Sequence, residues 1–150
     1  MTVETLPPRL PGPGSVLRWC RSFPGRSAEM RHLRCWLAEL LPAGPVREDM
    51  QSIAVELATN AVRHTATGSG GQFTVQVSWC GQPGTVRISV ADDGAPHGPR
   101  WPDGPCPAAE SGMGLYLVCA LASRTGECGD ACGRQVWAEM AVPAGPLDRT

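Results

Sequence analysis

A chain of 150 residues holds one domain around a single core, and at this length roughly 68–70% of the unfolded surface is buried. Its 42% hydrophobic and 18% charged residues suit a globular protein, and a net charge of −1 offers no broad footprint for nucleic acid. All 13 basic residues are Arg, which excludes the P-loop lysine, the protein-kinase strand lysine and Schiff-base chemistry together.

Seven cysteines, at 20, 35, 80, 106, 119, 128 and 132, are odd in number and scattered, so no disulfide framework is expected. Cys128 and Cys132 form a C-x3-C pair with no second pair to complete a zinc site. No apolar run reaches the roughly 18 residues of a membrane span, and the Pro-rich start lacks a signal-peptide core. A cytoplasmic protein without membrane or nucleic-acid contact is expected.

Residues 1–14 read as a flexible Pro/Gly-rich leader, 15–142 as the folded domain and 143–150 as a flexible tail. Val16, Leu17 and Trp19 mark a short first strand over Ser15 to Cys20. Ser27 is a good N-cap, and Met30, Leu33, Leu37, Leu40 and Leu41 recur at helical spacing until Pro42. Pro45 suits the first turn of a second helix running to about Thr65, with Met50, Ile53, Ala54, Leu57 and Ala61 as its apolar stripe.

Phe73, Val75, Val77 and Trp79 alternate, as do Val86, Ile88 and Val90, with a turn at Gly81–Gly84 between them. Asp92-Asp93-Gly94 closes that strand and opens a long loop rich in Gly and Pro. Gly112 to Arg124 reads as a third helix, and Arg134 to Val142 as a last strand. The order β-α-α-β-β-α-β predicts an α+β two-layer sandwich.

Glu56 and Asn60 lie one helical turn apart and share a face, with Arg63 further along it. Such a face is ordinarily a solvated helix surface, yet Asn60 is the only Asn in the chain. A carboxylate beside a carboxamide suits a general base next to a Mg²⁺ ligand, because Mg²⁺ takes hard oxygen donors and shares them with phosphates. Asp92 before a turn glycine is either a turn former or an acceptor for an adenine amino group. Gly112-Met113-Gly114 at a helix start makes an ordinary turn, or lets backbone N–H groups approach a phosphate.

In order and spacing these words resemble the Bergerat-fold ATPases, which include gyrase-type topoisomerases and sensor histidine kinases. Glu56-Leu-Ala-Thr-Asn60-Ala-Val-Arg-His64, Val90-Ala-Asp-Asp-Gly94, Gly112-Met-Gly-Leu115 and Val136-Trp-Ala-Glu139 are similar to the short anti-sigma-factor serine/threonine kinases of actinobacteria, over about residues 15–142. The resemblance implies the histidine-kinase-like two-layer sandwich, a mixed, mostly antiparallel sheet with helices on one face. It implies ATP (or ADP) and Mg²⁺ as cofactors, with Glu56 as catalytic base and Asn60 as metal ligand. Asp92 would hold the adenine amino group, and Gly94 would allow close approach of the base. Gly112, Met113, Gly114 and Leu115 would wrap the phosphates beneath a lid at 95–111, with Arg63 and His64 nearby.

The partners implied are a sigma factor, a STAS-type anti-anti-sigma antagonist that is phosphorylated, and a second copy of the chain. The alternative is a nucleotide-sensing regulatory module of the same fold with little or no kinase activity. The chain departs from the family pattern at Pro96, where a second glycine is frequent. It departs again at Gln135, where the family frequently has a small hydroxyl residue supporting the adenine-binding Asp.

Overall fold

The computed structural model describes residues 16–80, 84–99, 101 and 113–142. The leader, the tail, Gly112, Cys106 and most of the 95–111 segment lie outside the described residues.

Strand β1 (Val16–Pro24) is followed by helix α1 (Met30–Leu40) and helix α2 (Pro45–His64). Strands β2 (Gln72–Cys80) and β3 (Gly84–Asp92) precede helix α3 (Met113–Leu121), and strands β4 (Arg124–Asp130) and β5 (Gly133–Val142) end the fold. The five strands form one sheet in the order β1-β2-β3-β5-β4, antiparallel at every pairing. This is the expected α+β sandwich.

Alternation builds the interface between sheet and helices. Phe73, Val75, Val77 and Trp79 of β2 and Val86, Ile88 and Val90 of β3 are buried on one face. Against them lie Leu33 and Leu37 of α1 and Met50, Ile53, Ala54, Leu57, Ala58 and Ala61 of α2. Each large apolar side chain buried this way contributes about 1.5–3 kcal/mol. The stripe read from the sequence is therefore the one that packs.

Three boundaries differ from expectation, each for a local reason. Strand β1 continues past Cys20 because Phe23 pairs with Phe73, their rings stacked with centroids 5.3 Å apart. Ser27 begins a short 3-10 turn over Ser27–Glu29 and makes no side-chain cap; Glu29 occupies the N-cap of α1. Helix α3 stops at Leu121 instead of Arg124, since the Ser123 N–H leaves the helix to donate to the Glu139 carbonyl of β5 (2.7 Å).

Strand β4 has no counterpart in the sequence reading. Its residues, RTGECGD, carry no apolar alternation, so pairing with β5 creates it. Gly126 makes that pairing possible: a Cβ there would run into the Trp137 indole. No helix among the described residues is long and apolar enough to cross a membrane.

Candidate functional site

Between the helix layer and the β3–β5 end of the sheet lies a cavity of about 380 Å³, within the range of small-molecule sites, roughly 300–1,000 Å³. Leu57, Val90, Leu115 and Val136 give it apolar walls, while Asn60, His64, Asp92 and Arg134 supply polar groups. The loop after β3 contributes Ala95 through Pro99 as one side. Residues distant in sequence thus converge because α2, α3, β3 and β5 meet there.

Asp92 ends β3 on the helix-facing side, two residues beyond Val90. Its Oδ1 accepts the Gly94 N–H at 2.7 Å, which fixes one carboxylate oxygen within the turn. Burial raises the Asp92 carboxyl above its ordinary value, and the Gly94 N–H and the Arg134 charge act against that rise. Gly94 has φ +85°, and a Cβ there would collide with the Ala131 backbone. Its carbonyl accepts the Ala66 N–H at 2.9 Å, tying the turn to the segment after α2.

Asp93 faces elsewhere. Its Oδ2 accepts the Gln72 N–H at 3.1 Å and lies 3.4 Å from the hydroxyl of buried Thr67, whose Oγ1 accepts the Asp93 N–H at 2.9 Å. Two adjacent aspartates therefore divide: Asp92 lines the cavity and Asp93 fastens the start of β2.

On α2, Asn60 and His64 line the cavity, whereas Arg63 is exposed and is not among its lining residues. Glu56, one turn before Asn60, is also off the cavity wall. Its Oε2 lies against Gly114 in the first turn of α3, so closely that a Cβ at that glycine would make the carboxylate move aside. A carboxylate there meets the positive end of the helix dipole, and the same backbone N–H groups suit a phosphate. Leu115 lines the cavity, and Met113 starts α3; Gly112 falls outside the described residues.

Gln135 does not approach Asp92. The register sets Arg134 opposite Asp92 and Gln135 opposite Ala91, so Gln135 points to the other face of the sheet, where its Nε2 donates to Ser89 Oγ at 3.0 Å. The residue directly across the ladder from Asp92 is Arg134. Sequence reasoning missed this, although the strict alternation of β5 from Val136 back to Arg134 carried the signal.

The six described cysteines are free and exposed, and no cluster of His, Cys, Asp or Glu among the described residues suits a metal ion. Asn60 offers a single amide oxygen, a donor of the type Mg²⁺ accepts when phosphates complete its shell. An apolar-walled cavity with a half-buried acceptor at its end and a glycine-bearing helix start at its side fits a purine nucleotide.

Comparison with protein families finds a match over residues 23–139 to the model described as histidine kinase-like ATPase domain. The matched span includes every cavity-lining residue. Comparison with curated proteins finds no match.

Proposed function

The chain belongs to the histidine kinase-like ATPase domain family, and from that premise we propose that it is an ATP–Mg²⁺-binding anti-sigma factor with protein serine/threonine kinase activity. It acts in the cytoplasm, sequesters a sigma factor, pairs with a second copy of itself, and is countered by a STAS-type antagonist whose hydroxyl it phosphorylates. The observation that carries the nucleotide part is the convergence of Asp92, Asn60 and Leu115 on one cavity with Glu56 seated at the start of α3.

In this reading the free oxygen of Asp92 accepts the adenine amino group while its other oxygen stays on the Gly94 N–H. Leu57, Val90 and Val136 flank the base and exclude water. Asn60 would hold the metal through its amide oxygen, and the first turn of α3 would receive the phosphates. ATP–Mg²⁺, when bound, would supply the γ-phosphoryl group with ADP as the leaving group, the metal offsetting phosphate charge. Glu56, seated beside the first turn of α3, would take the proton of the attacking hydroxyl. With no Lys in the chain, transfer rests on positioning and on metal electrostatics.

A nucleotide-sensing module without transfer is the second reading, favoured by the scarcity of fixed positive charge: among the described lining residues only Arg134 is an Arg, and Arg63 is exposed off the cavity wall. One experiment separates the two. The purified chain is combined with a sigma factor and a STAS-domain protein from the same genome, with and without ATP–Mg²⁺, and labelled phosphate is followed. Nucleotide-dependent retention of the sigma factor with label on the antagonist supports the kinase. Tight ATP binding with neither outcome supports the sensor.

A further inference from the structure

Arg134 is set directly across the β3–β5 ladder from Asp92, on the same face, and both line the cavity. Its side chain is only 15% exposed. Nη1 is held 3.6 Å from Glu127 Oε2 of β4, and Nε is buried without a hydrogen-bond partner among the described residues. Gly98 of the cavity loop lies over this pair: a Cβ there would come 2.9 Å from Glu127 Oε2 and 3.0 Å from Arg134 Nη1. A guanidinium so covered acts through a medium less polar than water, where a charge is felt beyond direct contact.

We propose that Arg134 is a positioning residue whose charge keeps the Asp92 carboxylate ionised in its buried setting, as an acceptor for the amino group of a purine nucleotide, with Glu127 tuning that charge from the edge strand. The proposal rests on the nucleotide reading above and adds a residue pair to it. Without the Arg134 side chain, only two backbone N–H groups, those of Gly94 and of residue 134 itself, oppose the burial of a negative charge there. The other groups near Asp92 are Asp93, just past the end of β3, whose charge works against ionisation although its side chain turns elsewhere, and His64 of α2 and His97 of the loop, which share its cavity. Glu127 acts on the guanidinium directly, through their 3.6 Å ion pair.

The pair gives the proposal opposite signs to test. Arg134→Gln removes the supporting charge, so Asp92 titrates at higher pH. Glu127→Gln leaves the guanidinium less neutralised, so Asp92 titrates at lower pH. Arg134→Lys restores most of the wild-type behaviour, because charge rather than fork geometry is what Asp92 feels.

Two readouts are needed: carbon-13 NMR titration of the Asp92 carboxyl in the ligand-free chain, and calorimetry with a non-hydrolysable ATP analogue from about pH 7.5 to about pH 5. Across that range Arg134→Gln loses about three- to tenfold more affinity than wild type, as expected when a nearby opposite charge is removed from a carboxylate. The nucleotide's own titration cancels in the ratio. An Asp92 titration unmoved by either substitution overturns the proposal, as does an affinity loss in Arg134→Gln that is equal at every pH. Absence of binding by the wild type instead overturns the nucleotide reading, while the NMR arm still decides the role of Arg134. If Arg134→Gln fails to fold, the downward shift in Glu127→Gln carries the test.

Discussion

Asp92→Asn exchanges a carboxylate for an amide of the same size. The Gly94 N–H, 2.7 Å from Oδ1, selects the amide's oxygen as its acceptor, which turns the NH₂ towards the cavity. A donor then faces the amino group of the base, where an acceptor is required. Losing a charge-assisted hydrogen bond costs about 1.5–3 kcal/mol, so ATP affinity falls about 10- to 100-fold. The turn at Gly94 keeps its hydrogen bond, and the fold survives.

Asp93→Ala is the control, and it fails in the other way. It leaves the Gln72 N–H without its partner and removes a contact of buried Thr67, at about 1–3 kcal/mol of stability. For a chain of this size that lowers Tm by about 2–4 °C per kcal/mol. Calorimetry and thermal melts on both proteins read the two effects separately. An Asp92→Asn protein that binds ATP as wild type does would refute the reasoning, and so would an Asp93→Ala protein that weakens ATP at unchanged Tm.

The other expectations concern the catalytic side and the pH response. Glu56→Gln binds ATP about as well as wild type but loses most phosphoryl transfer, about 10²–10⁴-fold, as labelled-phosphate assays would show. Asn60→Ala erases the part of ATP affinity that depends on Mg²⁺, seen by calorimetry with and without the metal. Gly94→Ala forces a Cβ onto the Ala131 backbone at φ +85° and destabilises the fold by about 1–3 kcal/mol, measured by denaturant titration.

Because burial raises the Asp92 carboxyl, ATP affinity begins to fall at a higher pH than an ordinary carboxylate would produce. The same raised value means the folded state holds the proton more tightly than the unfolded one. The Asp92 contribution to ligand-free stability therefore improves as pH drops through the folded-state value. Affinity and stability change in opposite directions, which paired binding and melting curves at several pH values can check.

The helices and three central strands were legible because their apolar residues recur with periods that only a two-layer sandwich satisfies. Strand β4 was not legible, since its glycines and charged residues acquire extended structure only from β5 and from the Trp137 ring lying over Gly126. Glu56, Asn60 and Asp92 stood out by type and spacing. What the sequence could not convey was direction. Asp92 and Asp93 differ only in which face of the sheet end each meets, and Arg63 and His64 only in about 100° of helical rotation. Arg134 escaped notice because its importance lies in a cross-strand neighbour 42 positions away, and such pairings exist only once the register is set.

The central claim is that an adenine nucleotide occupies the cavity between α2, α3 and the β3–β5 end of the sheet. Titrating the isotope-labelled chain with ATP–Mg²⁺ while following backbone amide resonances tests it most directly. The account predicts saturable shifts at Asn60, His64, Asp92, Gly94 and Leu115, with Arg18, Ser78 and Arg87 on the opposite sheet face unmoved. Shifts gathered on that opposite face, or none at millimolar nucleotide, would contradict it.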